Sequence, residues 1–177
     1  MPSPVPAGLE RVTTARLVLR RPLDTDVAVV LALHSDPACI RYNPSEALRS
    51  AADARALIDR WQRQWGAGLG YWIVEHDGAP VGVCGVKAVE LGGVPVWNLL
   101  YRLLPAAWGR GFAREAAAEA VSRAAVVDAA RPVIARIRAA NAGSARVAAA
   151  IGLVRRPDLD VDGEDGPDEV WAPPAPP

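Results

Sequence analysis

Apolar residues recur along this chain with two different periods, and each change of period marks an element. Over residues 50–65, Ala54, Leu57, Ile58, Trp61 and Trp65 are spaced three and four apart, one stripe of an amphipathic helix. Ser50 stands as its N-cap with Asp53 in the capping-box position, and Gly66 is the expected stop. The period falls to two over residues 71–76 and 80–89, which meet at Asp77-Gly78, a strong hairpin signal. Gly92-Gly93 predicts a further turn. Residues 96–104 then alternate, with Trp97, Leu99, Tyr101 and Leu103 on one face and Asn98, Leu100 and Arg102 on the other.

The remaining elements are read the same way. A first strand is predicted over residues 16–20 and a helix with an acidic start over 24–34. After the glycines at 109 and 111 come an Ala-rich helix (113–128), a strand (133–138), a helix (142–151) stopped by Gly152, and a last strand that includes 169–172. This order predicts an α/β (α+β) fold: a mixed, mostly antiparallel sheet of six to seven strands with helices on both faces. With 177 residues a single domain is expected, drawn at 15–172 between an N-terminal extension (1–14) and a Pro-rich tail (173–177).

Composition narrows the class. Half the residues are hydrophobic (51%), 23% are charged and the formal net charge is zero, a globular profile without the basic excess of a nucleic-acid binder. Charged residues interrupt every apolar run before it could span a bilayer. Cys39 and Cys84 are far apart and form no C-x-x-C pair, which argues for small buried hydrophobes in a reducing compartment rather than a disulfide or zinc site. The first eight residues have no cationic start and no apolar core, unlike a signal peptide. The expectation is a cytoplasmic protein with no membrane, nucleic-acid or metal partner.

The chemistry concentrates in Trp108-Gly109-Arg110-Gly111-Phe112-Ala113. A glycine loop that opens a helix exposes backbone N–H groups at a positive dipole end, a ready phosphate site. It is not a P-loop, because the chain has no Lys-Ser or Lys-Thr. It is not a dinucleotide fingerprint either, because Arg114 stands where the third glycine belongs.

The loop resembles the pyrophosphate loop of the GNAT N-acetyltransferases, [QR]-x-x-G-x-[GA], with Trp108 in place of Gln or Arg. Pro105 to Ala116 resembles the P-x-x-W-G-x-G-[YF]-A-x-E-A run of the RimJ/RimL-like ribosomal-protein N-terminal acetyltransferases. Two further stretches are similar to that branch: Leu17-Val18-Leu19-Arg20 to its opening strand, and Asn141-Ala142-Gly143-Ser144 with Val147 and Ile151-Gly152-Leu153 to its last helix. The resemblance spans nearly the whole chain. It implies a GNAT fold with a splayed wedge between the family's fourth and fifth strands, and direct transfer of acetyl from acetyl-CoA to an amine. A peptide N-terminal amine or a small amine would be the acceptor, and a homodimer is compatible with it.

By the same resemblance, the amides of Gly109, Arg110, Gly111, Phe112 and Ala113 would hold the CoA pyrophosphate, with Arg110 and Arg114 adding charge. The backbone near Leu103 would pair with the pantetheine arm and supply an oxyanion donor. Asn141 would contact the arm or cap its helix, and Arg146 would face the 3′-phosphate. Ser144 would protonate the leaving thiolate. Related sequences often carry Glu where this chain has Asn98, and an amide accepts no proton at neutral pH. Either Asn98 orients a water, or Glu90, His34 or His76 serves as base, or an N-terminal α-amine with pKa about 8 needs little help. The variable region 37–70 is the expected source of the acceptor pocket; the six tryptophans are read mostly as core residues, with lining of that pocket the alternative for Trp61, Trp65 and Trp72. Asn98 also motivates a second reading, a CoA-binding sensor or interaction module without catalysis. The run from Asp158 to Glu169 matches the EF-hand formula, but Pro157 and Pro167 and the absence of a following helix favour a solvated acidic loop.

Overall fold

In the computed structural model, which describes residues 8–175, the chain enters the sheet through two short antiparallel strands, β1 (Arg11–Thr13) and β2 (Val18–Arg20). Strand β1 lies inside the stretch set apart as an N-terminal extension, and its Val12 is buried together with Leu9. The rest of that Pro-rich start (1–7) and the last two residues of the tail lie outside the described residues.

The predicted helix over 24–34 opens as one tight 3-10 turn and continues as α1 (Val27–Ser35), followed by α2 (Pro37–Ile40), which begins at Pro37 with the Asp36 carboxylate accepting from the Ala38 amide. α3 (Ala51–Gln64) is capped as expected: the Ser50 hydroxyl accepts from the Asp53 amide at 3.1 Å. It ends at Gln64 and runs into a 3-10 turn (Trp65–Ala67), which is stopped by Gly68 in the left-handed region at φ 102° rather than by Gly66. Next come β3 (Tyr71–His76), β4 (Ala79–Leu91) and β5 (Val94–Leu103). The turns between them put Asp77-Gly78 and Gly92-Gly93 at positive φ, so each two-residue turn follows the twist of its strands.

The Ala-rich segment forms α4 (Phe112–Val127), then β6 (Val133–Arg138) and α5 (Ala142–Ala150) follow. The C-terminal part forms β7 (Val154–Arg155), β8 (Val161–Gly163) and β9 (Gly166–Ala172). The nine strands run β1-β2-β3-β4-β5-β6-β9-β7, with β8 hydrogen-bonded to β9. All neighbours are antiparallel except β5 and β6. The count exceeds six to seven because β1, β7 and β8 are two or three residues long, too short to show a period.

One core lies between the sheet and α4 with α5, built on Leu19, Trp72, Cys84, Trp97, Leu99, Phe112, Ala116 and Ala120. The other lies between the sheet and α1 with α3, built on Val30, Leu33, Ile58, Trp61, Tyr71, Ile73 and Val83. Helices therefore cover both faces, as the sequence predicts. Trp61, Trp65 and Trp72 are consumed in these cores and none lines an acceptor pocket.

Candidate active site

The sheet opens at its one parallel junction. β5 and β6 pair only at Trp97 with Val133 and at Asn98 with Ile134; beyond that point they splay. Leu104 donates its amide to the Val81 carbonyl of the β4 side at 2.9 Å. Antiparallel alternation then turns the N–H and C=O of Leu103 away from β4, toward the opening. The Trp97 amide shows the same parity, bonding Pro132 on the β6 side at 2.9 Å. The strand backbone near Leu103 thus faces the wedge, where the sequence reading places the pantetheine arm. Around it lies a cleft of about 960 Å³.

At one end of the cleft is the glycine loop. Gly109 and Gly111 sit at φ 73° and 79°, where a side chain would be strained. They turn the chain so that the amides from Gly109 to Arg114 find no acceptor among the described residues. These are free donors at a helix N-terminus, which is the requirement for a diphosphate. The loop is braced from behind. Glu115 of α4 accepts from the Thr14 hydroxyl (2.6 Å), the Arg16 amide (2.8 Å) and Arg16 Nε (2.7 Å), while Arg16 Nη1 donates to the Arg110 carbonyl (2.8 Å). Trp108, 49% exposed, donates its indole N–H to the Leu103 carbonyl at 2.7 Å. It ties the loop to the strand beside the wedge.

The other sequence-predicted residues divide. Asn98, Leu103, Trp108, Gly109, Gly111, Phe112, Ala113, Asn141, Ser144 and Arg146 all line the cleft. Arg110 does not: its guanidinium lies 4.5 Å over the Phe112 ring and 2.9 Å from His76 Nε2, on the outer side of the loop. Arg114 lines the cleft in its place. Asn141 caps α5, its Oδ1 accepting from the Ser144 amide at 3.1 Å, which leaves its side-chain NH₂ to donate elsewhere. Both roles considered for it are sterically compatible. The Tyr101 hydroxyl donates to the Ser144 carbonyl at 2.7 Å, fixing the first turn of α5 against β5. Burial raises the Tyr101 phenol far above its usual range, so it stays a donor.

Opposite the glycine loop, the cleft wall is made by the segment after α1. Ala38, Cys39, Tyr42, Asn43, Ser45 and Glu46 line it, so only the beginning of the variable region contributes. Cys39 and Cys84 are both free thiols. Burial, then the Asp36 carboxylate, pushes the Cys39 thiol up, and it donates to the Leu103 carbonyl at 3.5 Å. Arg102 is buried beneath this wall, with Nη2 2.6 Å from Glu46 Oε2 and Nη1 2.9 Å from His34 Nδ1. A guanidinium only donates, so His34 accepts from it through a ring nitrogen and the ring is neutral; Nδ1 also lies 3.2 Å from the Glu46 carbonyl, and Nε2 lies 3.4 Å from Arg102 Nη1. Burial first, and the Arg102 charge second, push the His34 pKa down to about 4.

His34 is therefore a core residue, 3% exposed, not a surface one. His76 packs at 4.5 Å against Phe112 behind the loop, and Glu90 lies opposite Pro95 at the far end of the β4–β5 hairpin. None of the three alternatives to Asn98 lines the cleft. The sequence reading passed over Glu46 and Arg102, and set Tyr101 aside as a proton donor because it lies outside the last helix. For Arg102 a signal existed: a cation on a central strand of a two-sided sheet requires a carboxylate partner.

The acidic run near the C-terminus is a β-hairpin. Asp160 and Glu169 pair with Arg155, Asp158 pairs with Arg156 at 2.6 Å, and Asp168 pairs with Arg136 and Arg138 at 2.8 and 2.6 Å. Four of its acids pair with arginines while Asp162 and Glu164 stay exposed, and no group of three His, Cys, Asp or Glu among the described residues is placed to hold a metal ion. The hairpin tip also closes over the cleft: Asp165 accepts from the Ser45 amide at 3.0 Å and the Ser45 hydroxyl at 2.6 Å, and Arg138 Nε donates to the Tyr42 carbonyl at 3.2 Å.

A mixed sheet that opens at one parallel junction, with a strand edge leading into a loop of free amides, defines a protein suited to hold an extended ligand that carries an anionic group. The family description "Acetyltransferase (GNAT) domain" matches residues 16–154, and the chain belongs to that family. It is an acyltransferase whose donor is acetyl-CoA. Solved structures with the same fold include an acetyltransferase from Agrobacterium tumefaciens (TM-score 0.79, 21% identity, 93% of this chain and 94% of that one). Another is RimL, the ribosomal L7/L12 alpha-N-protein acetyltransferase, in complex with coenzyme A (0.77, 15%, 92% and 97%). A third is an acetyl transferase from Salmonella typhimurium described as modifying the N-terminal serine of 50S ribosomal subunit protein L7/L12 (0.73, 16%, 90% and 95%).

Proposed function

We propose that this protein transfers acetyl directly from acetyl-CoA to an amine, as a RimJ/RimL-like N-acetyltransferase acting in the cytoplasm, with a peptide N-terminal amine or a small amine as acceptor. The observation that carries the reading is the continuous path from the free amides at Gly109 to Arg114, along the wedge-facing backbone of Leu103, to Asn98 and Ser144. The loop amides, with Arg114 and Arg146 on the rim, bind the phosphates. Leu103 aligns the arm. Ser144 delivers a proton to the leaving sulfur. Asn98 offers a buried Oδ1 with no hydrogen-bond partner, and an orphaned acceptor beside a cleft suits a held water or an ammonium N–H. Acetyl-CoA, when bound, supplies the activated thioester.

The test mixes the protein with acetyl-CoA and a panel of amines, among them a peptide with a free N-terminal serine, spermidine and an aminoglycoside, and follows thiol release. Turnover on one class identifies the acceptor. Calorimetric binding of coenzyme A with no turnover on any amine would favour the non-catalytic CoA-binding module instead.

A further inference from the structure

An alkylammonium cannot attack a thioester until it loses a proton, and neither the Asn98 amide nor the Ser144 hydroxyl is a base at neutral pH. Four carboxylates line the cleft: Glu46, Glu164, Asp165 and Asp168. Asp168 is buried and shared between Arg136 and Arg138. Both oxygens of Asp165 are taken by Ser45. Glu164 sits exposed in the turn of the β8–β9 hairpin. Glu46 differs from all three. Only its Oε2 is engaged, by Arg102 at 2.6 Å, and Oε1 meets no donor among the described residues. Its side chain is 43% exposed on the cleft side.

The support beneath Glu46 is unusual for a rim residue. Arg102 follows Tyr101 and precedes Leu103, whose main-chain groups face the wedge. It is itself anchored at its other nitrogen by His34 Nδ1 at 2.9 Å. The His34 carbonyl also accepts from the Leu48 amide at 2.9 Å, so the end of α1 holds the segment that carries Glu46. On the same face of β5 as Arg102 lies Asn98, with its orphaned Oδ1. A carboxylate fixed at one oxygen by a buried cation, and open at the other, is oriented without being neutralised by a proton.

We infer that Glu46 is the group that takes the proton from the acceptor amine, directly or through one water, with Arg102 and His34 as positioning residues that hold its carboxylate. The inference rests on the transferase reading above. The ammonium gives one proton to Oε1 of Glu46, which later releases it to solvent. The freed lone pair forms the C–N bond at the acetyl carbon, and the C–S bond breaks with its electrons on sulfur. The second proton leaves nitrogen and reaches the thiolate by way of Ser144. The products are the amide and free coenzyme A. The carboxylate lost at Asn98 is thereby supplied from the loop after α2.

The experiment compares wild type, Glu46→Gln and Glu46→Asp on the best amine of the panel, from about pH 6.5 to about pH 9.5, a range that straddles an α-amine pKa of about 8. Coenzyme A binding is measured in parallel by calorimetry. Glu46→Gln retains the shape and an oxygen for Arg102, so its coenzyme A affinity is expected to stay within about twofold of wild type. Its kcat is expected to fall about 10²-fold at neutral pH, the usual worth of a general base. The deficit should shrink as pH rises and the ammonium loses its proton to solvent by itself. Glu46→Asp shortens the reach but keeps the base, so it should lose rate while preserving the wild-type pH profile. A deficit of equal size at every pH, or none, overturns the assignment. Failure of wild type to bind coenzyme A, or to turn over any amine, would remove the transferase reading instead, and this proposal with it.

Discussion

Ser144 is held by its main chain and offers its side chain. Its amide is capped by Asn141, its carbonyl accepts from Tyr101, and its hydroxyl bonds no other described residue while lining the cleft. Ser144→Ala therefore leaves the helix start intact. Expected is a kcat loss of about 10²-fold with acetyl-CoA affinity unchanged, read from steady-state rates and calorimetry; an unaltered kcat would remove Ser144 from the mechanism. His34 yields a second prediction at this scale. Its folded pKa of about 4 lies below the ordinary 6.5, so the native state disfavours the protonated ring. The stability it contributes is fully present above pH 6.5 and is lost as pH falls from 6.5 toward 4, on the order of 3 kcal/mol in total. Urea melts of wild type and His34→Gln across that interval should differ by this slope. Parallel curves would show that His34 titrates normally. The residue types were legible in the sequence; the contacts of His34 with Arg102 were not, because residues 34 and 102 meet only after the sheet is covered.

Helix α4 explains why an Ala-rich segment serves at the centre of the molecule. Ala116, Ala117, Ala120 and Ala124 are fully buried against the sheet, and small side chains let the helix approach closely while its first turn presents amides to the cleft. Ala120→Leu should overpack this contact and cost about 1–3 kcal/mol, measured by denaturant unfolding. Long elements with a full period, such as α3, β3 to β6 and α4, were readable within a residue or two at each end. The short β1, α2, β7 and β8 were not. The C-terminal hairpin was hidden for another reason: its acids suggest solvent, and only the arginines of β6 and of the β7 region, Arg136, Arg138, Arg155 and Arg156, show why they fold back.

At the scale of the whole molecule, the two parts of the sheet are joined by the brief β5–β6 pairing, by the Ser45–Asp165 contact and by Arg138 on Tyr42. A ligand that fills the opening between them binds only the folded chain. At about 100 times its dissociation constant, coenzyme A should stabilise the protein by about 2.7 kcal/mol, seen as a raised Tm. Calcium at millimolar concentration should leave Tm unchanged, since Asp158, Asp160 and Glu169 of the EF-hand formula are engaged by arginines and the segment is a β-hairpin with no helix after it among the described residues. A calcium-dependent rise would reopen that reading.

Local rules settled much of this protein before any fold was known. Hairpins at Asp77-Gly78 and Gly92-Gly93, the capped stripe of α3, and a glycine loop that frees amides at a helix start all depend on neighbours within a few residues, and neighbours are what a sequence displays. The wedge and its far wall depend on packing. Which way the Leu103 backbone faces follows from strand pairing with β4, and the orientation of Glu46 at the cleft follows from its contact with the buried Arg102 of β5. Those are facts of three-dimensional closure, so the glycine loop with its free amides was visible in the chain, while the carboxylates that surround the cleft were placed only by the tertiary structure.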